Sequence, residues 1–187
     1  MNPAGPGDAL FASPRPVATL ADLLANVWQF GYVTNDLDRA IALMSERFGL
    51  EHCLKLPAGG ATFLVGNEPA EWNAKFAMGA RGGLIVELIE PVAGEIDFYT
   101  RVLPPDGSFA VRFHHIATFT APGDVEWERL GALLAASGLK VDYTVLIPDR
   151  VRAGYVDTTG ELGHWLEICQ LQREDIDFFS SLVADSA

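Results

Sequence analysis

The chain has 187 residues, of which 49% are hydrophobic and 20% are charged, a composition typical of a folded globular protein and not of a disordered one. Its formal net charge of -12 disfavours nucleic acid and anionic membranes as partners, because like charges repel. The two cysteines are far apart, the start of the chain has no signal-like pattern, and no apolar run approaches the roughly 20 residues of a membrane span. We therefore expect a cytoplasmic protein with no nucleic-acid or membrane partner.

The first half of the chain predicts a β-α-β-β-β unit. Residues 1–25 begin with several prolines and are expected to form an N-terminal arm. An apolar strand over 27–33 precedes a helix that begins at Asn35 or Asp36 and ends at Gly49. Three strand-like segments bounded by Gly, Pro or Asn follow at 51–56, 61–65 and 83–89, and 75–78 is a candidate for an additional short strand.

The second half repeats this order of elements. A strand over 111–119 leads into a helix over 124–137, and Gly138 ends that helix. Further strands are expected at 141–147, 151–157 and 164–171. Because a repeated order indicates an internal duplication, we predict an α+β fold of two tandem modules. The predicted parts are a first module over 26–92, a linker over 93–109, a second module over 110–172 and an amphipathic C-terminal tail over 173–187, which forms a helix docked on its own domain or on a partner subunit.

Four polar residues lie within otherwise apolar strands: Gln29 and Glu87 in the first half, and His115 and Glu167 in the second. Each pair occupies the first and last strands of its half at nearly the same spacing. A carboxylate on an apolar strand face is costly unless it is paired or binds a metal. If a pseudo-twofold axis relates the halves, the four side chains converge on one point, and their donor atoms suit Zn, Ni, Co, Mn or Fe. The alternative is a buried salt bridge from each carboxylate to an arginine, and the candidates are Arg101, Arg112 and Arg152.

The same residues carry a resemblance to a known family. Gln29 followed by Asn35-Asp36-Leu37, together with Val86-Glu87-Leu88, His114-His115-Ile116-Ala117 and Leu166-Glu167-Ile168, resembles the motifs of the vicinal oxygen chelate superfamily over roughly residues 26–171. Members such as glyoxalase I and methylmalonyl-CoA epimerase fold as paired β-α-β-β-β modules that form a half-open mixed β-barrel cup around a divalent metal. The resemblance implies a Gln, Glu, His, Glu ligand set like that of some glyoxalase I enzymes, with His115 equivalent to Gln29. Epimerases more often have His and Gln at the first two positions.

The resemblance also implies a function. We expect a divalent-metal-dependent isomerase or lyase, glyoxalase-like or epimerase-like, that acts on a small to medium carbonyl substrate through a stabilised enolate. Glu167, or else Glu87, would move the proton α to the carbonyl. The family also implies a homodimer. A non-catalytic small-molecule binding protein and a metal-dependent dioxygenase or hydrolase are the alternatives, although Gln29 in place of a histidine disfavours extradiol dioxygenase chemistry.

Five further residues are candidates for the wall of a substrate pocket. Trp165 shares a strand face with Glu167. His114 is expected to point to the opposite face from His115, and both His114 and His164 are predicted to lie just behind the ligands, where they orient substrate or donate a proton. The full set is His114, Tyr143, Tyr155, His164 and Trp165.

Overall fold

A computed structural model describes residues 14–57 and 59–184 of the protein. The strands in these ranges are β1 (Val27–Thr34), β2 (Glu51–Lys55), β3 (Thr62–Val65), β4 (Glu68–Ala70), β5 (Trp72–Arg81), β6 (Leu84–Gly94), β7 (Val111–Thr120), β8 (Tyr143–Ile147), β9 (Val151–Val156) and β10 (Trp165–Leu171). The helices are α1 (Leu20–Leu24), α2 (Leu37–Phe48), α3 (Asp97–Thr100), α4 (Asp124–Ala136), α5 (Thr159–Leu162) and α6 (Arg173–Ala184). Residues 1–13 of the predicted arm and 185–187 of the predicted tail lie outside the described residues.

The ends of the first long helix show why the chain folds locally as the sequence indicates. The Asp36 side chain accepts a hydrogen bond from the backbone N–H of Arg39 and so caps the start of α2. At the other end Gly49 adopts a left-handed conformation with φ of 67°, which glycine tolerates without strain. Leu37 and Ala40 on the buried face of α2 then pack against β6.

All ten described strands belong to one curled, unclosed sheet with the order β2-β5-β6-β1-β7-β10-β9-β8-β3-β4. The first half contributes β2-β5-β6-β1 and the second contributes β7-β10-β9-β8, so β1 and β7 meet at the centre. The pairs β1–β6 and β7–β10 are parallel, whereas β1–β7 is antiparallel. This arrangement confirms the predicted α+β fold and mixed, half-open sheet. No helix within the described ranges is long and apolar enough to cross a bilayer.

One strand predicted for the first half lies at the far side of the second. The segment over 61–65 forms β3, which pairs with β4 in a hairpin and with β8 of the second half. The first half instead uses β5, which is longer than the predicted 75–78 segment and pairs with β2 and β6. A strand pattern does not identify the partner strand, because tertiary packing selects it. The hairpin therefore fastens the first half to the outer edge of the second.

The register of the two central strands follows a pseudo-twofold axis. In the antiparallel pair β1–β7, Gly31 lies opposite His115, and Gln29 lies opposite Ala117. Exchanging the two halves converts one of these pairs into the other. Gln29 and His115 therefore occupy equivalent positions, as do Gly31 and Ala117.

The parallel neighbours obey the same symmetry. Glu87 on β6 lies beside Gly31 of β1, and Glu167 on β10 lies beside Ala117 of β7. Glu87 and Glu167 are therefore equivalent as well, so the two halves contribute matching pairs of polar residues to the centre of the sheet.

Two irregularities in the β1–β7 ladder also occupy equivalent positions. The register shifts at Trp28, immediately before Gln29, and at His114, immediately before His115. A β-bulge inserts an extra residue and re-aims its side chain, so strict alternation is lost at these points. All four of these residues are buried.

Both ends of the cup are filled by side chains from the helix that follows each half. At one end, α6 places Phe179 and Leu182 in a buried cluster around Trp28. At the other end, α3 places Phe98 and Tyr99 in a second buried cluster. The interior is therefore packed, and the predicted C-terminal helix docks on its own chain.

Candidate metal centre

The four polar residues singled out in the sequence meet at the middle of the cup. They come from adjacent strands, Glu87 from β6, Gln29 from β1, His115 from β7 and Glu167 from β10. None is more than 6% exposed. His115 Nε2 lies 3.4 Å from Glu87 Oε2 and 3.2 Å from Glu167 Oε2. The amide Nε2 of Gln29 donates a hydrogen bond to Glu87 Oε2 at 3.0 Å.

Gly31 makes room for the imidazole of His115. A Cβ atom at position 31 would lie 1.8 Å from His115 Cε1, far inside van der Waals contact. The equivalent position opposite Gln29 is occupied by Ala117, which is fully buried. Small residues therefore face both nitrogen-bearing side chains across the central ladder, and the position of His115 requires glycine.

Burial and mutual proximity shape the charges of the cluster. Burial raises the pKa of the Glu87 carboxyl, and the nearby Glu167 raises it further, whereas the proximity of His115 and the hydrogen bond from Gln29 lower it. Burial lowers the pKa of His115, but Glu167 and Glu87 outweigh burial and raise it to about 9. Two carboxylates in a dry interior thus attract any cation that lies between them.

Arginines do not supply that cation. Arg152 Nη2 donates to Asp124 Oδ1 at 2.8 Å, and Arg101 lies over the Trp165 ring at 5.6 Å. Arg112 is hydrogen-bonded to the carbonyl of its neighbour Val111. Among the described residues, the ion pairs of Glu87 and Glu167 are formed with His115. The salt-bridge alternative to a metal site therefore has no support in the structure.

The donor atoms of three residues fit a divalent cation. Glu87, His115 and Glu167 each offer one ligand atom, and these atoms all lie within 4.8 Å of one another. His115 Nε2 is buried and lies at ion-pair distance from both carboxylates, but neither contact has hydrogen-bond geometry. One imidazole nitrogen and two carboxylate oxygens are ligands that Zn, Mn, Fe, Co and Ni accept.

Gln29 is the fourth polar residue of the cluster, but it is not one of the three residues whose donor atoms fit a cation. Its amide N–H is directed at Glu87, so it supports that carboxylate. Its role as a fourth ligand, which requires the amide oxygen, stays a prediction.

His114 lies on the same side as His115, whereas strict alternation predicted the opposite face. The β-bulge at this position re-aims the side chain into the cup. Its Nδ1 lies 3.0 Å from His115 Nδ1, and its Nε2 lies 2.9 Å from the carbonyl oxygen of Phe98 in α3. Burial lowers the pKa of His114 to about 3, and the positive charge of His115 acts in the same direction. His114 is therefore neutral at physiological pH.

Three of the predicted pocket residues lie in the aromatic cluster at the α3 end. The ring of Tyr155 is 5.4 Å from that of His115, and its hydroxyl lies 3.4 Å from the hydroxyl of Tyr99. Trp165 is buried and stacks on His114 with a centroid distance of 6.2 Å. Burial raises the pKa values of Tyr155 and Tyr99 well above the usual value for a phenol. Both phenols are therefore neutral hydrogen-bond donors.

The other two predicted pocket residues stand further from the carboxylates. Tyr143 stacks on Phe98 at 4.2 Å between ring centroids and so reaches the cluster from its outer side. His164 packs against the partly exposed ring of Phe113 at 5.5 Å, and its Nδ1 is bonded to the backbone oxygen of Trp165. The structure therefore does not bring His164 to the four polar residues.

Sequence reasoning predicted α6 but missed α3, which lies in the predicted linker, although a short repeat marks both helices. Residues 95–100 read Glu-Ile-Asp-Phe-Tyr-Thr, and residues 175–180 read Asp-Ile-Asp-Phe-Phe-Ser. The two segments are separated by the same number of residues as Glu87 and Glu167. The duplication therefore extends past the last strand of each half, into α3 and α6.

The repeated aromatic residues make equivalent contacts at the two ends. The Phe179 ring lies 4.8 Å from the ring of the bulge residue Trp28. Its counterpart Tyr99 lies 5.0 Å from the ring of the bulge residue His114. Each half thus provides a bulge and an aromatic side chain that covers it.

Comparison with known proteins supports the fold. No protein-family model matches the chain, and no curated protein matches its sequence. Among solved structures, methylmalonyl-CoA epimerase from Mycobacterium tuberculosis aligns with a TM-score of 0.57 and 14% identity, over 87% of this chain and 97% of that chain. A hypothetical protein from Bacillus halodurans C-125 aligns with a TM-score of 0.50 and 18% identity, over 79% of this chain and 94% of that one.

A variant of Streptomyces coelicolor methylmalonyl-CoA epimerase in complex with 2-nitronate-propionyl-CoA aligns with a TM-score of 0.49 and 20% identity, over 78% of this chain and 96% of that chain. Methylmalonyl-CoA epimerases belong to the vicinal oxygen chelate superfamily. The protein therefore has the fold of that superfamily, as its sequence motifs predicted, and within that fold it carries a buried Glu-His-Glu cluster suited to a metal ion.

Proposed function

We propose that this protein is a divalent-metal-dependent enzyme that isomerises or cleaves a small to medium carbonyl compound through an enolate. The observation that carries the proposal is the buried group of His115 Nε2 and the carboxylates of Glu87 and Glu167, whose donor atoms all lie within 4.8 Å of one another. Two buried carboxylates outnumber the one positive charge that His115 can carry, and a divalent cation would balance both of them. The place of this group at the centre of the vicinal oxygen chelate fold supports the same interpretation.

The chemistry follows from what these residues can do. When bound, a divalent ion supplies Lewis acidity that stabilises the negative charge of an enolate. Glu87, His115 and Glu167 would hold the ion, and Gln29 keeps the Glu87 carboxylate in place through its N–H. Glu167, or else Glu87, would accept the proton α to the carbonyl and return it, since a carboxylate held beside the substrate can act as a general base and then as a general acid.

A small molecule of modest polarity suits the surroundings of the cluster. The side chains next to it at the α3 end are aromatic, and Tyr155 and Trp165 are each 2% exposed. Such an interior excludes water, which protects a reactive enolate from protonation by solvent. The wider proposal is a cytoplasmic homodimer without a nucleic-acid or membrane partner, in keeping with the net charge of -12.

A dioxygenase is a weaker candidate, because that chemistry uses two histidines and one carboxylate on iron. Only the Nε2 of His115 faces the carboxylates, and both ring nitrogens of His114 have other partners. A non-catalytic binding protein would retain the fold and lack a metal, so measurement of the metal content separates it from the proposed enzyme.

The decisive measurement is the metal content of the purified protein by plasma mass spectrometry. We expect nearly one divalent ion per chain in the wild type and its loss in His115→Ala and in Glu167→Gln. Glu46→Gln makes the same chemical change at an exposed position of α2 and should leave the metal content unchanged. Absence of metal after reconstitution of the wild type would contradict the proposal and favour the binding protein.

The second measurement tests the reaction. Acyl thioesters and hemithioacetals in D₂O should exchange the proton α to the carbonyl in the presence of the metal-loaded wild type, and Glu46→Gln should behave alike. Glu167→Gln should lose exchange. Stoichiometric metal without exchange in either compound class would limit the proposal to metal binding.

A further inference from the structure

We propose that His114 is a positioning residue that fixes which nitrogen of His115 faces Glu87 and Glu167. This inference rests on the proposed metal function, since it concerns how His115 is prepared as a ligand. It begins from the β-bulge that directs two consecutive histidines into the cup. Without the bulge, alternation would place His114 on the outer face.

The first link is the hydrogen bond between His114 and α3. His114 Nε2 lies 2.9 Å from the carbonyl oxygen of Phe98. A carbonyl oxygen can only accept, so the hydrogen must reside on His114 Nε2. The last carbonyls of a helix lack intrahelical donors, and His114 provides a donor for one of them.

The second link is the contact between the two histidines. With its hydrogen on Nε2, a neutral His114 presents a lone pair at Nδ1. That atom lies 3.0 Å from His115 Nδ1, so the hydrogen of this bond comes from His115 Nδ1. The neutral ring of His115 then carries its own lone pair on Nε2, the atom that lies between the two carboxylates.

The opposite tautomer of His115 would defeat metal binding. A hydrogen on Nε2 would point at Glu87 and Glu167 and occupy the direction along which an ion must bind. In that tautomer His115 Nδ1 carries no hydrogen, so it could not donate to His114 Nδ1, and two buried lone pairs would face each other. An outer hydrogen-bond partner of this kind orients a ligating imidazole and raises its basicity. The linker helix α3 is thereby connected to the candidate metal centre through Phe98 and two imidazole rings.

Two amide variants separate the two links. His114→Asn can place an amide oxygen near the site of Nδ1 and keep the acceptor for His115, while it loses the hydrogen bond to Phe98. His114→Gln can reach the Phe98 carbonyl and loses the acceptor for His115. His114→Phe fills the volume and removes both links. Both variants bury a polar amide at the same position. A difference in metal affinity between them therefore reports the hydrogen bond to His115 and not a general loss of stability.

The experiment is a titration of each metal-free variant with Co²⁺, followed by its visible absorption. We expect His114→Phe and His114→Gln to bind Co²⁺ about 10–100-fold more weakly than the wild type, and His114→Asn to recover most of that loss. In the Zn²⁺-loaded wild type, ¹⁵N NMR should show His115 protonated at Nδ1, with protection from exchange that His114→Gln loses.

The outcomes distinguish the inference from the proposed function. If the wild type binds neither Co²⁺ nor Zn²⁺, the proposed metal function fails. If the wild type binds and both amide variants bind equally tightly, the positioning role of His114 is overturned while the metal site stands. Thermal unfolding of each metal-free variant identifies any that does not fold, and the Asn and Gln variants still decide the question if His114→Phe is lost.

Discussion

At one end of the cup the bulge residue is His114, covered by Tyr99 of α3, and at the other end it is Trp28, covered by Phe179 of α6. The first end is polar: His114 bonds to a backbone carbonyl of α3 and to His115. The second end is apolar, with Leu182 also packed in the cluster. The two bulge positions are equivalent in the duplicated chain, but one holds a hydrogen-bonded histidine and the other an apolar tryptophan cluster.

The difference separates the end whose hydrogen bonds orient His115 from the end that is held by apolar packing. The helix α3 lies between β6 and β7, so the chain restrains it on both sides. The helix α6 packs on the apolar cluster around Trp28 and contributes neither of the hydrogen bonds that orient His115. Displacing α6 exposes apolar surface without breaking the hydrogen bonds that orient His115. We therefore expect substrate and metal to enter past α6.

The largest effect on metal binding is expected at Gly31, where the two halves differ by one methyl group. Gly31→Ala gives the first half the residue that the second half has at Ala117, but its Cβ would occupy the space of the His115 ring. We expect loss of bound metal, measured by plasma mass spectrometry, and destabilisation of about 1–3 kcal/mol from overpacking. The matched change Ala117→Gly should retain the metal and cost about 0.5–1 kcal/mol. Full metal content in Gly31→Ala would contradict the geometry described above.

The next largest effect is expected for the buried aromatic rings that close the two ends of the cup. Phe98→Ala and Phe179→Ala each remove a buried ring, and each should cost about 3–5 kcal/mol in denaturant unfolding, with Phe98 at the upper limit because it is 0% exposed. Phe98→Ala should also weaken metal binding, since it loosens the carbonyl that holds His114. Phe179→Ala should leave the affinity unchanged and speed removal of metal by a chelator.

The exposed Phe48, which is 65% exposed, provides the control, and Phe48→Ala should change stability by less than about 0.5 kcal/mol. Equal effects of Phe98→Ala and Phe179→Ala on metal affinity would show that the two ends do not differ in the way proposed.

A smaller effect is expected at the ion pair that anchors α6. Arg150 pairs with Asp175, whose side chain is 3% exposed while that of Arg150 is 52% exposed. Arg150→Ala leaves the buried carboxylate unpaired and should cost about 1–3 kcal/mol, between the values for surface and buried pairs. It should also speed removal of metal by a chelator. Arg173→Ala removes a surface pair with Asp177 and should cost about 0.5 kcal/mol or less. Similar losses for both variants would refute an anchoring role.

The smallest effect is expected in the pH dependence of thermal stability, to which the histidines of the polar end contribute and the apolar end does not. The pKa of His115 is raised to about 9 by the carboxylates, so its contribution to the stability of the metal-free protein is complete below about pH 6.5 and is lost as pH rises through 9. The pKa of His114 is lowered to about 3 by burial, so its contribution is present above about pH 6.5 and is lost as pH falls. Thermal unfolding should therefore show maximal stability near neutrality, with the acid limb reduced in His114→Asn. An unchanged acid limb in that variant would contradict the assignment.

The sequence predicted the duplicated order of elements and the meeting of Gln29, Glu87, His115 and Glu167, because charged or amide side chains in apolar strands must find partners. It did not predict the inward orientation of His114. Alternation assumes one residue per pleat, and a bulge changes that count without a signal in the local pattern. The destination of β3 was also missed, since a strand pattern does not encode which edge the strand joins.

The hairpin of β3 and β4 affects how the chain folds. The hairpin lies in the first half of the sequence, but β3 pairs with β8 of the second half. The pair β1–β7 also joins the two halves, so many strand pairs connect residues that are far apart in the chain. Pairings of this kind form slowly, because the intervening loop must be closed first. A nascent chain that ended after β6 would leave the hairpin without a neighbour and one side of β1 unpaired, and open strand edges promote aggregation. The two halves repeat one order of elements, yet each covers a strand edge that the other would leave open.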